Sequence, residues 1–267
     1  MTEHNRTHTI IYPSIFNQVD PSFKKEMIFA QSKGFLIAFL SEEESKLSKI
    51  KYLPHNPSVI YRGWMLSEDE YWALSLQVEA QGSHLVNGLN QYMFSHHIPN
   101  WYKVLKDFTI ETKQFEDKTG AMALFETDKT FTENGVFLKD FVKSLKTSRG
   151  SVAQSAEEVS EIVDEMIRVR GSLEGGLIVR KHVKIVHEVR FFFFKGMLLC
   201  PDDVPFTDEM KSFARRVVSK LKTYTNFCSI DIGTTYQGET LLVEIGDGQV
   251  SDLLGFSNEY IWENLHG

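Results

Sequence analysis

The chain has 267 residues, of which 42% are apolar and 24% charged, enough to build one large or two modest domains with a proper core. Its formal net charge of −7 argues against a general nucleic-acid or membrane-surface binder, because such binders carry a basic footprint. Two cysteines, Cys200 and Cys228, give neither a disulfide framework nor a metal-type cluster and read as buried thiols.

The N-terminal "MTEHNRTHTIIYPS" is polar, without the apolar region of a signal peptide, and the run near Phe191 is too short to span a bilayer. A cytoplasmic protein is expected. "HTIIYPS" reads as a strand ending at Pro13. The helix that follows has Asp20 as N-cap, Pro21 at its first position and Gly34 closing it. "FLIAFL" is a continuous apolar run that suits a buried strand, so the chain opens strand–helix–strand, the seed of a parallel sheet.

"SVIYRGWML" reads as a strand running out at Arg62 and Gly63. Ser67 with Glu70 three residues on starts a helix that Gly82 ends. "SHLVN" is a short strand, and the segment from Asn90 to Phe108 is mixed, with a break at Pro99. Near residue 110 the order of elements changes. "GAMALFE" and "GVFLKDFVKS" read as strands, "KTSRGSVAQ" as a small basic loop, and "SAEEVSEIVDEMIRVRG" as a capped amphipathic helix. "GGLIVRKHV", "HEVRFFFFKG" and "MLLC" read as strands, "TDEMKSFARRVVSKLKTY" as a helix, and "FCSIDIG" and "LLVEIG" as two strands joined by a short turn.

The last two strands carry acids at instructive places. Side chains alternate along a strand, so Ser229 shares a face with Asp231, and Glu244 one with Leu242. A hairpin would put Asp231 and Glu244 on one face, where like charges destabilise the pair unless a cation bridges them. Such oxygen-rich sites suit magnesium beside nucleotide phosphates, with Asp247 a third candidate ligand. Spacing alone favours plain surface acids.

Glu188 and Arg190 interrupt an apolar strand, as a pocket wall or as an ion pair; arginine forks onto phosphate or carboxylate. Lys139 emerges from another apolar strand, near Lys143, Lys146, Ser148 and Arg149, types that cradle phosphate but without P-loop spacing; read alone, a solvated basic loop fits better. Arg180 and Lys181 interrupt a strand that could wall an adenine.

In this order, strand lysine, small basic loop, helix, arginine strand, Glu-x-Arg strand and two acid-bearing strands, the chain resembles an ATP-grasp enzyme. The resemblance is to the clade named for two arginines and a lysine, here Arg180, Arg190 and Lys139. "IIYPS" and "VIYRGWML" resemble that clade's pre-ATP-grasp domain.

The resemblance implies an α/β (α+β) fold. Residues 1–110 would be the pre-ATP-grasp domain and 111–267 the ATP-grasp domain, whose lobes, about 111–180 and 181–267, cradle nucleotide. It implies nucleotide contacts from Lys139, Lys146, Ser148, Val179, Arg180, Lys181, Glu188, Arg190 and Leu242, with Lys139 and Arg190 on the ATP phosphates. Magnesium would fall to Asp231, Glu244 and Asp247.

One departure stands out. The family's asparagine after "E-x" is Gly246, so either Asp247 supplies the ligand or a second metal is held weakly. The implied activity is ATP-dependent ligation of a carboxylate to an amine through an acyl phosphate.

Arg62, at a strand's carboxyl end, could hold a substrate carboxylate or be ion-paired. His96 and His97 read as packing against Trp101 and Tyr102 rather than as a metal site. A kinase would need the H-R-D catalytic loop, which is missing, and a nucleotidyl ligase a Lys-x-D-G run, where Lys139 is followed by "DFV". A non-catalytic nucleotide sensor stays open because of Gly246. The sequence leaves the oligomeric state open between monomer and homodimer.

Overall fold

A computed structural model describes residues 8–15, 18–41, 49–50, 52–54, 56–142, 150–173 and 175–265. In chain order it has β1 (Thr9–Ile15), β2 (Gln18–Val19), α1 (Lys24–Ser32), β3 (Leu36–Ser41), β4 (Lys49–Ile50), β5 (Ser58–Tyr61), α2 (Glu68–Glu79), β6 (His84–Leu85), α3 (Leu89–His96) and α4 (Ile98–Leu105). There follow β7 (Thr112–Phe115), α5 (Lys118–Thr127), α6 (Lys129–Thr132), β8 (Val136–Asp140), β9 (Val152–Ala153), α7 (Ala156–Arg170) and β10 (Leu177–Lys181). The chain closes with β11 (Ile185–Phe194), β12 (Met197–Leu199), α8 (Asp208–Leu221), β13 (Phe227–Thr235), β14 (Thr240–Asp247) and α9 (Asn258–Asn264). Among the described residues no helix is long and apolar enough to cross a membrane.

The chain forms two compact units. The first takes Met1–Ser95, Val189–Asp231 and Ile245–Gly267; the second takes His96–Glu188 and Ile232–Glu244. In the first unit the sheet order is β4-β3-β1-β5-β6, with β1 parallel to both β3 and β5. Parallel strands are covered on both faces, and β1 obeys. Ile10 and Tyr12 pack with Phe192, Phe227 and Trp262, while Ile11 packs with Tyr71, Leu74 and Tyr92. Ser67 and Glu70 form the expected capping box on α2. Arg62 follows directly on β5.

The second unit has the sheet β7-β10-β8-β9. Val136, Leu138, Leu177 and Val179 share a core with residues of α5 and α7, among them Ala121, Leu124, Val159 and Val163. Antiparallel pairing sets Ile178 opposite Lys139, and Arg180 opposite Phe137 on one side and Thr112 on the other. Residues directly opposite share a face, so Lys139 and Arg180 point away from that core, on the same side. A further sheet runs β12-β11-β13-β14.

Three local expectations are corrected. "GAMALFE" is helix, not strand: the Asp117 side chain accepts from the Thr119 amide to start it, and Ala121 and Leu124, three apart, are both buried. "GVFLKDFVKS" stays extended only to Asp140, whose carboxylate accepts from the Val142 amide at 2.9 Å and turns the chain. The mixed segment is two helices, and Pro99 lies in the first turn of the second, where no amide is needed.

Candidate functional site

In the second unit, Lys139 is 2% exposed and its Nζ donates to Glu244 Oε1 at 2.7 Å; the Glu244 side chain is 37% exposed. Burying an ammonium is costly without a paired acid, and Glu244 is that acid. Arg180, on the same sheet face, is buried and donates through Nη1 to the Val243 carbonyl at 2.8 Å. Burial lowers the Arg180 pKa, while the charge of Glu244 works in the opposite direction.

Other expected nucleotide residues are spread out. The Val179 side chain lies in the core, and Lys181 shares its face of β10, opposite to Arg180. Leu242 is buried and its amide donates to Phe108 O at 2.8 Å. Glu188 lies exposed on β11. Lys146 and Ser148 lie outside the described residues. His97 stacks edge-on with Phe141 at 6.4 Å and His96 is buried, both as packing residues.

In the first unit, Arg190 forks onto Asp231. Its Nε donates to Oδ1 and its Nη2 to Oδ2, both at 2.7 Å, and Nη1 donates to the Asp252 carbonyl at 3.1 Å. Such forked bonds are the strong ones.

Ser229 shares the face of Asp231 on β13, and its hydroxyl lies 2.8 Å from that of Ser251. A Cβ on Gly246 would stand 2.9 Å from Ser229 Oγ and 3.1 Å from Ser251 Oγ. The hydroxyl pair thus crowds the place where a side chain at position 246 would begin.

Asp247 is fully buried. Its Oδ2 accepts from Asn87 Nδ2 at 2.6 Å, and its Oδ1 from the Gln249 amide at 2.8 Å and the Gln249 side chain at 3.2 Å. Both oxygens are therefore engaged inside the protein rather than open to an ion.

Arg62, expected at a substrate, is 3% exposed and forks onto Glu26, with two bonds of 2.8 Å. Its Nη1 also donates to the carbonyls of Gly248, Gln249 and Ser251 at 2.8, 3.2 and 3.0 Å. Burial pushes the thiols of Cys200 and Cys228 up, so neither is a ready nucleophile.

Sequence reasoning missed Asn87, which accepts the amides of Asn226 and Phe227 at 2.9 and 3.0 Å while donating to Asp247. No local signal marks it, because every partner is remote in sequence. Among the described residues no three His, Cys, Asp or Glu side chains cluster as a metal cage. A magnesium ion needs none, since it keeps waters and takes one or two carboxylates with substrate phosphates. Asp231 in the first unit and Glu244 in the second, each already holding a cation, are each by themselves a carboxylate of that donor chemistry.

Burial pushes the Asp247 carboxyl up to about 6 from its ordinary 3.8, against its hydrogen bonds and the Arg62 charge. Between those values the folded chain holds a proton that the unfolded chain has lost, so stability falls as pH rises. The loss is about 3 kcal/mol, complete near pH 6. Urea unfolding of wild type and Asp247→Asn across this window checks it: the wild type should lose that stability relative to the variant, and a flat difference would refute the shift.

A profile of the ATP-grasp domain, family 3 of the clade named for two arginines and a lysine, matches residues 101–265, well over half the chain. The chain belongs to this family. No curated protein sequence matches it.

Solved structures share the fold at low identity. D-alanyl-alanine synthetase A from Vibrio cholerae O1 biovar eltor is 12% identical, with a TM-score of 0.61 over 98% of this chain and 99% of that one. A RimK domain ATP-grasp protein from Sphaerobacter thermophilus is 13% identical, with a TM-score of 0.64 over 98% and 100%. The macrocyclase MdnC from Microcystis aeruginosa MRC, bound with precursor peptide MdnA, is 11% identical, with a TM-score of 0.61 over 97% and 98%. The α+β architecture is thus the ATP-grasp fold.

Proposed function

We propose that the protein is an ATP-dependent ligase that joins a carboxylate to an amine through an acyl phosphate. The observation that carries this reading is that each phosphate-type cation is paired with a metal-type acid: Lys139 with Glu244, and Arg190 with Asp231. Ion pairs that keep one or both partners partly exposed stabilise little, so two of them at the positions the resemblance assigns to ATP and magnesium support a ligand-binding role. Lys139 and Arg190 bind phosphate oxygens, and each cation so engaged leaves its own acid, Glu244 or Asp231, available as a carboxylate ligand for a divalent cation. Magnesium held there would neutralise charge developing on the transferred phosphoryl group.

The substrate carboxylate attacks the γ-phosphorus, the bridging P–O bond breaks, and ADP leaves. The amine then attacks the acyl carbon and loses its proton as phosphate departs. Lys139 and Arg190 position the phosphates and balance their charge, and no side-chain nucleophile is needed. We assign residues 1–110 to a pre-ATP-grasp domain and 111–267 to the ATP-grasp domain, with lobes at about 111–180 and 181–267. The peptide bound to MdnC makes peptides, beside amino acids, the first substrates to screen.

The test is ADP release by the purified protein with magnesium, ATP and mixtures of carboxylates and amines. Release of ADP and phosphate only when both substrates are present is expected; release of pyrophosphate, or phosphate retained on a product, would exclude a ligase of this type. Gly246, lacking the family's asparagine side chain, favours one second reading, a nucleotide sensor. A sensor would bind Mg-ATP in calorimetry yet release no ADP with any mixture.

A further inference from the structure

Resting on the nucleotide-and-metal reading above, we infer that Arg180 is a positioning residue for Glu244 rather than a phosphate ligand. The guanidinium is held on three sides. Its Nη1 donates to Val243 O at 2.8 Å, its Nη2 to Thr109 Oγ1 at 2.8 Å, and its Nε to Thr112 Oγ1 at 3.3 Å. With 5% exposure it offers no open fork of the kind that grips phosphate.

The two threonines are themselves tied down. Thr109 Oγ1 donates to Leu242 O at 2.7 Å, and Thr112 Oγ1 donates to Ile110 O at 2.8 Å. A hydroxyl has one donor and two acceptor lone pairs, so each donates once and receives the guanidinium. The amide of Leu242 donates to Phe108 O at 2.8 Å, and Thr109 and Leu242 form a parallel bridge. Residues 108–112 are therefore a strap between β10 and β14, with Arg180 at its centre.

The grip falls on consecutive residues of β14. The strap holds Leu242, Arg180 holds the carbonyl of Val243, and Lys139 holds the carboxylate of Glu244. Arg180 and Lys139 come from the same face of one sheet, so its rigidity sets where the Glu244 carboxylate starts. Groups that orient a metal ligand without touching the metal typically govern affinity by about 10- to 100-fold.

The experiment uses the full chain with a non-hydrolysable ATP analogue. Manganese affinity is read by electron paramagnetic resonance with the analogue present, and analogue affinity by calorimetry in EDTA. Arg180→Met should raise the manganese Kd at least about tenfold while changing metal-free analogue affinity little. Thr109→Val, which removes one link and no charge, should raise the manganese Kd in the same direction by a smaller factor, and Thr109→Ser should restore it. Thr109→Val keeps the test decisive should Arg180→Met fail to fold.

A loss of metal-free analogue affinity in Arg180→Met, with manganese affinity intact, would make the guanidinium a phosphate ligand and overturn the inference. So would a Thr109→Val protein with wild-type manganese affinity. A wild-type protein that binds no analogue would instead overturn the nucleotide reading itself.

Discussion

Lys139→Met is expected to cut ADP release by about 10²- to 10³-fold, the usual loss when one preorganised donor to a developing charge is removed. The ammonium is buried in the wild type, 2.7 Å from Glu244. Methionine roughly matches the stem in volume, so the packing around it should survive. Glu244, left without its partner, is 37% exposed and is hydrated rather than stranded. The melting temperature should therefore move little while nucleotide affinity falls, a combination that a purely structural ion pair would not give. Calorimetry with Mg-ATP and a thermal melt on the same sample check both halves. Unchanged affinity and turnover would reduce the pair to a structural ion pair with no part in nucleotide binding.

The sequence made the scaffold legible where periodicity and caps are strong. Ser67 with Glu70, the apolar run "FLIAFL" and the two closing strands are found where they were expected. It misled where short apolar runs are ambiguous: "GAMALFE" carries Ala121 and Leu124 on one helical face, a spacing that seven residues do not distinguish from a strand. Of the candidate site, residue types were readable and partners were not. Arg62 reads in sequence as a substrate arginine or an ion-paired one, because a strand's carboxyl end is a ligand position. Its acid, Glu26, lies on α1, and no local pattern links the two. Arg180 presents the same problem, since its hydroxyl partners lie about 70 residues away. Gly246 reads in sequence as a missing ligand; its neighbours, the Ser229 and Ser251 hydroxyls that crowd a side chain there, are not legible from the sequence.

Arg62→Met is expected to destabilise the protein by about 3–5 kcal/mol, the usual result of removing one member of a buried ion pair. Glu26, 8% exposed, would lose its ion partner, while the Tyr12 hydroxyl, at 3.3 Å, still donates to it. The carbonyls of Gly248, Gln249 and Ser251 would lose a donor as well, and these follow directly on the strand that carries Glu244. Pairing Arg62→Met with Glu26→Met should recover part of the loss, because the stranded charge goes while the carbonyls stay unsatisfied. Urea unfolding of wild type, single and double variants measures each step. A substrate arginine would behave differently: Arg62→Met would unfold like the wild type and raise the KM of the carboxylate substrate. That outcome would return Arg62 to the substrate; loss of stability with partial rescue by Glu26→Met makes it the clamp on the turn that follows β14.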